Sequence, residues 1–404
     1  MRLLLAGDGV FADRTGGGRR YLWDLATLLV AAGHRVDVVG PRLSLELPSR
    51  ETRNGVRIIR HAAPSGTAPW KVLARIDAAR RSVQALLGRH SYDVVNVHFA
   101  QTGFGGLLAG AGRSVPLLYH FQGPWAGEIW TERRATWEGH KGPGTASRRG
   151  LALTVCTVMH RLERRGVRAA RRVAVLSRFS RSVLERAHGV PWEQVLVVPG
   201  GFDPSRFPQP ASRQDARTAL GLTPGPPVIF TARRLVRRMG LELLLKAAAQ
   251  LHERGVIARW FIAGAGPLEA TLRQRIAALG LSEQVRILGR VPDADLPTWY
   301  GAADLCVVPS IAFEGFGLVS VEALACGTPV VVTPAGANPE VVRPLSPALV
   351  AGAVTVKALS ATIARALAGP LPSPQDCRDY AVGRFGWDAV YPLNEAALRW
   401  VAES

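Results

Sequence analysis

Two kinds of segment alternate from the first residues onward, and that alternation limits the folds open to the chain. The apolar run "RLLLAG" meets a glycine-rich turn, "TGGGRR". Then come "YLWDLATLLVAAGH", with apolar residues recurring at three and four, and a second apolar run, "RVDVVG". The spacing predicts strand, loop, helix, strand, with Gly33 ending the helix. Further strand candidates fall at 56–60, 93–97, 115–120 and 173–176, with helical patterns between several of them. A parallel strand needs a crossover and a helix supplies it, so the expected fold is α/β with a doubly wound parallel sheet.

Near residue 199 the pattern breaks into "PGGFDPSRFPQPAS", whose Pro, Gly and Ser read as a linker. The alternation then restarts with "PVIFTARR", "LELLLKAAAQLHERG" and "ARWFIAGAG" and continues to "PVVVTPAG". Two α/β domains are therefore expected, 1–200 and 201–385, each long enough to bury a core. The amphipathic stretch 386–404 is expected to be a helix packing back on the first domain. Ligands of such sheets bind at the carboxyl ends of the strands.

Several classes are excluded early. The run in "MRLLLAGDGVF" is cut by Asp8 and is too short for a signal peptide. No stretch approaches the ~18 uninterrupted apolar residues of a membrane span. The four cysteines (Cys156, Cys306, Cys326, Cys377) show no zinc spacing and read as buried thiols of a cytoplasmic chain. Net charge is +19, and residues 1–200 hold 30 basic against 14 acidic residues. Such asymmetry suits an anionic partner. An arginine-rich composition is the competing explanation, because only four of the 50 basic residues are lysine.

The segment that carries chemistry is "PSIAFEGFGLVSVEALACGTPVV", residues 309–331. A strand at 305–308 ends at Pro309, a loop holds Glu314, and a helix runs from about Leu318 to Cys326. Gly315 and Gly317 leave backbone N–H groups available at the helix N-terminus, which favours a phosphate. Glu322 lies one turn into the helix and Glu314 in the loop before it, so the two would meet different parts of one ligand. A ligand with phosphates in the middle and polyols at both ends fits, because hydroxyl donors make buried carboxylates tolerable. A nucleotide sugar is such a ligand.

On these residues, and on "VLSRFSRSVL", "VVPGGFDPSRF", "ARRLVRRMGLELLLKA", "IAGAGPLEATL" and "VRILGRVPDADLPTWYGAADLCVVPS", the chain resembles the retaining glycosyltransferases of family 4 over nearly its whole length. The resemblance implies the GT-B fold, two Rossmann-like domains facing across a cleft. The first would bind the acceptor and the second a UDP- or GDP-sugar. Glu322 would hold ribose hydroxyls and Glu314 those of the donor sugar. The N–H groups of Phe316, Gly317 and Leu318 would touch sugar and diphosphate, with Gly17 admitting the diphosphate from the other domain. Arg234 would neutralise the leaving diphosphate, and the base would lie against Arg290 and Val291. His120, in "YHFQGPW", would stand near donor sugar and acceptor, with His98 on the same edge.

One position departs from the family pattern. Where a lysine usually precedes the glycine of "RLVRRMG", this chain has Met239. A thioether cannot neutralise a diphosphate, so Arg238 is expected to replace the lysine, with Arg237 as the alternative. No cofactor or metal is expected, since no ligand cluster is visible and arginines can do the work of a Lewis acid. Front-face attack within an oxocarbenium-like ion pair is the mechanism implied.

The acceptor stays open. Residues 131–181 carry 13 basic and 3 acidic residues, which suits peripheral contact with anionic membrane at the inner face. A soluble cyclitol or natural-product aglycone is the alternative. The competing functions are a sugar-nucleotide epimerase or sugar-phosphate synthase, and a non-catalytic protein binding nucleotide sugars or nucleic acid. Aromatic-basic RNA motifs are absent, so nucleic acid is not expected as a partner.

Overall fold

Buried apolar strands set the architecture. In the computed structural model, which describes residues 1–9, 16–64, 69–127, 130–131 and 145–404, one sheet has eight strands and a second has five. The first comprises β1 (Arg2–Ala6), β2 (Arg35–Pro41), β3 (Arg50–Arg53), β4 (Val56–His61), β5 (Val94–Val97), β6 (Leu117–Phe121), β7 (Arg172–Val175) and β8 (Val195–Val197). The second comprises β9 (Val228–Ala232), β10 (Arg259–Ala263), β11 (Val285–Gly289), β12 (Leu305–Val308) and β13 (Val330–Val332). Strands such as Leu3–Ala6 and Leu305–Val308 are wholly buried. Helices cover both faces, and the runs are therefore continuously apolar rather than alternating. The strand candidates read from sequence fall on β4 to β7 with ends moved by a residue or two, the usual uncertainty of strand ends.

The eight strands run in the order β3-β4-β2-β1-β5-β6-β7-β8, and the five in the order β11-β10-β9-β12-β13. Pairing is parallel except for β3 with β4. Each sheet therefore reverses direction once, between β1 and β5 and between β9 and β12. The loops leaving those strands diverge to opposite faces and open a crevice at the carboxyl edge.

The chain divides into two units, Met1–Gly201 with Asp388–Ser404, and Phe202–Trp387. The segment read as a linker is not loose beyond Gly201. Phe202 and Phe207 are 3% and 2% exposed, and Phe202 exchanges backbone hydrogen bonds with Phe385 and Trp387, both 3.1 Å. Proline and glycine mark the backbone break correctly, but the two phenylalanines anchor the start of the second unit.

The last helix, Trp387–Glu403, lies against the first unit over most of its length. Tyr21 donates to Asn394 Oδ1 at 2.8 Å, and the Arg172 guanidinium stacks 3.7 Å above the Trp400 ring. Among the described residues no helix is long and apolar enough to cross a membrane. Residues 132–144 of the basic stretch 131–181 lie outside the described residues.

Candidate functional site

In the second unit the reversal point brings together the loops that follow β9 and β12. They touch through backbone: Ile311 N donates to the Arg238 carbonyl at 3.0 Å. Gly240 makes this approach possible. Its φ is 73°, and a Cβ there would sit 1.8 Å from the Pro309 carbonyl oxygen. Only glycine accepts both the left-handed backbone and the contact.

The loop after β12 delivers Glu314. Its carboxylate, 13% exposed, accepts from Ser310 Oγ at 3.0 Å and pairs with the Arg233 guanidinium. Its own carbonyl accepts from Ala337 N at 2.8 Å, so the loop after β13 holds the backbone in place. Gly317, with φ 90°, caps the helix Leu318–Ala325. A Cβ on Gly317 would lie 3.8 Å from Glu314 Cγ and 3.1 Å from Asn338 Oδ1. The first N–H groups of such a helix have no partner within it, and with the helix dipole they attract anions. Phe316, Gly317 and Leu318 surround that terminus, and Gly315 precedes it. Glu322 lies in the same helix, where Tyr300 OH donates to Oε2 at 2.9 Å and fixes the carboxylate. Thr328 holds the Tyr300 carbonyl in turn, at 2.6 Å.

The arginines fall differently from the expectation. Arg233 N continues the ladder onto the Ala263 carbonyl at 2.8 Å, so alternation along the extended strand turns Arg233 inward and leaves Arg234 exposed. Met239 is buried, and the group against its sulfur is Arg233, with Nη2 2.9 Å from Sδ. Arg238, expected in that place, instead donates from Nη1 to the Phe313 carbonyl at 3.2 Å. Arg237 Nε lies 3.9 Å from Glu242. Arg290 and Val291 follow β11, on the same carboxyl edge but two strands away from β9.

In the first unit, Gly17 opens the helix Gly17–Ala31 after Gly16, and His98 directly follows β5. His120 sits deeper than expected. It is 1% exposed, with Nδ1 2.8 Å from Asn96 Oδ1 and Nε2 3.1 Å from Asn394 Oδ1. Burial pushes its pKa down to about 4, so the ring is neutral. Asn394 Oδ1 already accepts from Tyr21, which makes Nε2 the protonated nitrogen. A neutral Nδ1 then accepts from the Asn96 amide, turned to present its nitrogen. Both ring nitrogens are spent inside the unit, because β6 ends beneath the last helix and not at the surface.

His98 stacks on His120 with centroids 4.5 Å apart, is fully buried, and has no hydrogen-bond partner at either nitrogen. The strand-end side chain beside the glycine turn is Gln122, which sequence reasoning passed over. Its Oε1 lies 3.7 Å from where a Gly18 Cβ would stand, and its Nε2 is buried without a partner. Among the described residues no cluster of three metal-ligating side chains occurs.

Comparison with known proteins bears on both units. Residues 15–206 match the family model described as Glycosyltransferase Family 4, and residues 212–384 match Glycosyl transferases group 1. The chain is 32% identical over 345 residues to D-inositol 3-phosphate glycosyltransferase 1 of Catenulispora acidiphila, covering 81% of this chain and 77% of that one. It is 29% identical over 378 residues to the GDP-mannose-dependent alpha-(1-6)-phosphatidylinositol monomannoside mannosyltransferase of Mycolicibacterium smegmatis, covering 91% and 89%. Among solved structures, Anabaena HepE in complex with UDP-glucose superimposes with a TM-score of 0.73 at 22% identity, over the full length of both chains.

Proposed function

Because the chain belongs to the family-4 glycosyltransferases with the GT-B fold, we propose that it moves a hexosyl unit from a UDP- or GDP-sugar to an acceptor hydroxyl with retention of configuration. The observation that carries this reading is the pair Glu314 and Glu322 on either side of one helix N-terminus at the sheet's reversal point. Negative charge is favoured at that terminus and hydroxyl donors are favoured at each carboxylate, which is the order of groups along a nucleotide sugar. Glu322 meets the ribose and Glu314 the hexose. The glycosidic C–O bond breaks with its electron pair left on the diphosphate oxygen. The acceptor oxygen bonds to the same carbon from the same face, and its proton passes to the departing diphosphate.

An anionic acceptor fits the excess of arginine in the first unit. The names of both relatives carry a phosphorylated inositol, one soluble and one in a lipid. The helix Thr145–Ala169 exposes Arg149, Arg161, Arg164 and Arg165 together with Leu151, Leu153 and Val158, a mixture suited to the headgroup region of an anionic membrane. The test is a mass-spectrometric screen of UDP- and GDP-hexoses against inositol phosphates in solution and phosphatidylinositol in vesicles, run in excess EDTA. One donor–acceptor pair is expected to give product without metal. Turnover that needs added Mg²⁺ or Mn²⁺ would mean the diphosphate is held by a metal. Neither transfer nor donor hydrolysis with any pair would remove the catalytic reading.

Glu322→Ala is expected to weaken donor binding about 10- to 100-fold, the worth of a charged hydrogen bond, with kcat little changed. Ribose does not react, so its loss is felt equally in ground and transition states. A titration of donor affinity and kcat decides, and an unaltered KM would dissociate Glu322 from the donor.

A further inference from the structure

A buried cation stands unexplained beside Glu314. The Arg233 side chain is 3% exposed, and its Nη2 serves both Glu314 and the Met239 sulfur. Its Nε and Nη1 are buried and have no hydrogen-bond partner. A thioether is a weak acceptor, so one carboxylate is the main partner of a group with five N–H donors. Unmet donors on a buried charge are costly, and the few that persist in a folded chain call for a reason.

The surroundings supply one. Glu314 links Arg233 to the N-terminus of the helix Leu318–Ala325, through Cγ against Gly317. Ser320 Oγ, a hydroxyl buried without a partner, flanks that glycine at 3.6 Å from its Cβ position. Unmet donors, Arg233 Nε and Nη1 with Ser320 Oγ, thus gather where the helix dipole favours an anion. The group lying over the guanidinium edge is Met239, an unbranched side chain that can swing aside.

We propose that Arg233 contacts the diphosphate of the nucleotide-sugar donor and neutralises the charge that grows there as the glycosidic bond breaks. It fills the place that a cation at position 239 would occupy, whereas Arg238 holds the Phe313 carbonyl. The proposal rests on the donor reading above. With Glu314 on Nη2, the guanidinium still offers the N–H groups of Nε and Nη1 to phosphate oxygens.

The experiment measures binding of UDP, GDP, UMP and GMP, together with turnover, in wild type, Arg233→Ala, Arg233→Lys, Met239→Lys and the double variant R233A/M239K. Arg233→Ala is expected to weaken the bound diphosphate about 10- to 100-fold, and its monophosphate less than about 3-fold. Turnover should fall about 100-fold or more, because the lost charge acts mainly in the transition state. A lysine at 239 in the alanine background should restore turnover at least roughly 10-fold, since it returns a cation to the same space. Met239→Lys alone should lower it, two cations then competing for one carboxylate. If Arg233→Ala does not fold, Arg233→Lys and the double variant decide, with the same preference for diphosphate read from each.

Equal losses for mono- and diphosphate, or a double variant no better than Arg233→Ala, would overturn the assignment of Arg233. A wild-type chain that binds none of the four nucleotides would overturn the donor reading instead.

Discussion

Glu314→Ala should lower turnover about 100-fold while donor affinity falls less than about 10-fold. On the proposed function the carboxylate meets the sugar that reacts, and its acceptors gain strength as positive charge develops at the anomeric carbon. A second effect is structural. Removing the carboxylate leaves Arg233 buried with the Met239 sulfur and no anion, and breaking such a pair costs about 3–5 kcal/mol. A lower melting temperature should therefore accompany the loss of turnover. Glu314→Gln separates the two, since its amide oxygen still accepts from Arg233 and Ser310 while the charge is gone. Stability should largely return in the glutamine variant and turnover should not. Near wild-type kcat in a folded Glu314→Ala protein would place the residue outside the reaction.

The carboxylate pair could be read from the sequence because every local signal agreed: a strand ending at a proline, glycines before a helix, and two charges in an apolar stretch. The parallel fold was legible for the same reason. Arg233 was not, because two adjacent arginines look alike until strand alternation sends one inward and the next to solvent. The partner of Met239 was hidden likewise, since a 3₁₀ turn at Arg237–Met239 directs Arg238 to the Phe313 carbonyl. The burial of His120 was not legible because its partner Asn394 lies 274 residues away, on a helix whose apolar stripe reveals that it packs but not against which partner. Gln122 carried no sequence signal beyond standing two residues after that histidine.

The setting of the two histidines makes acid stability the second large effect. His98 and His120 are both buried, and burial lowers the pKa of each, with the neighbouring ring adding to the shift at His98. Above pH ~6.5 both rings are neutral folded or unfolded, and stability is unaffected. Below it the unfolded chain takes up a proton on each ring and the folded chain does not, so stability falls as pH falls. At pH 5 the cost at His120 is about 2 kcal/mol, and His98 adds to it in the same direction. His61 and His160, also lowered by burial, act in the same direction. His98→Leu removes a ring that makes no hydrogen bonds, so it should reduce the pH dependence by about one proton. Urea unfolding at intervals between pH ~5 and ~7.5 measures that slope. An identical slope in wild type and His98→Leu would mean that His98 is already charged, and paired, in the folded chain.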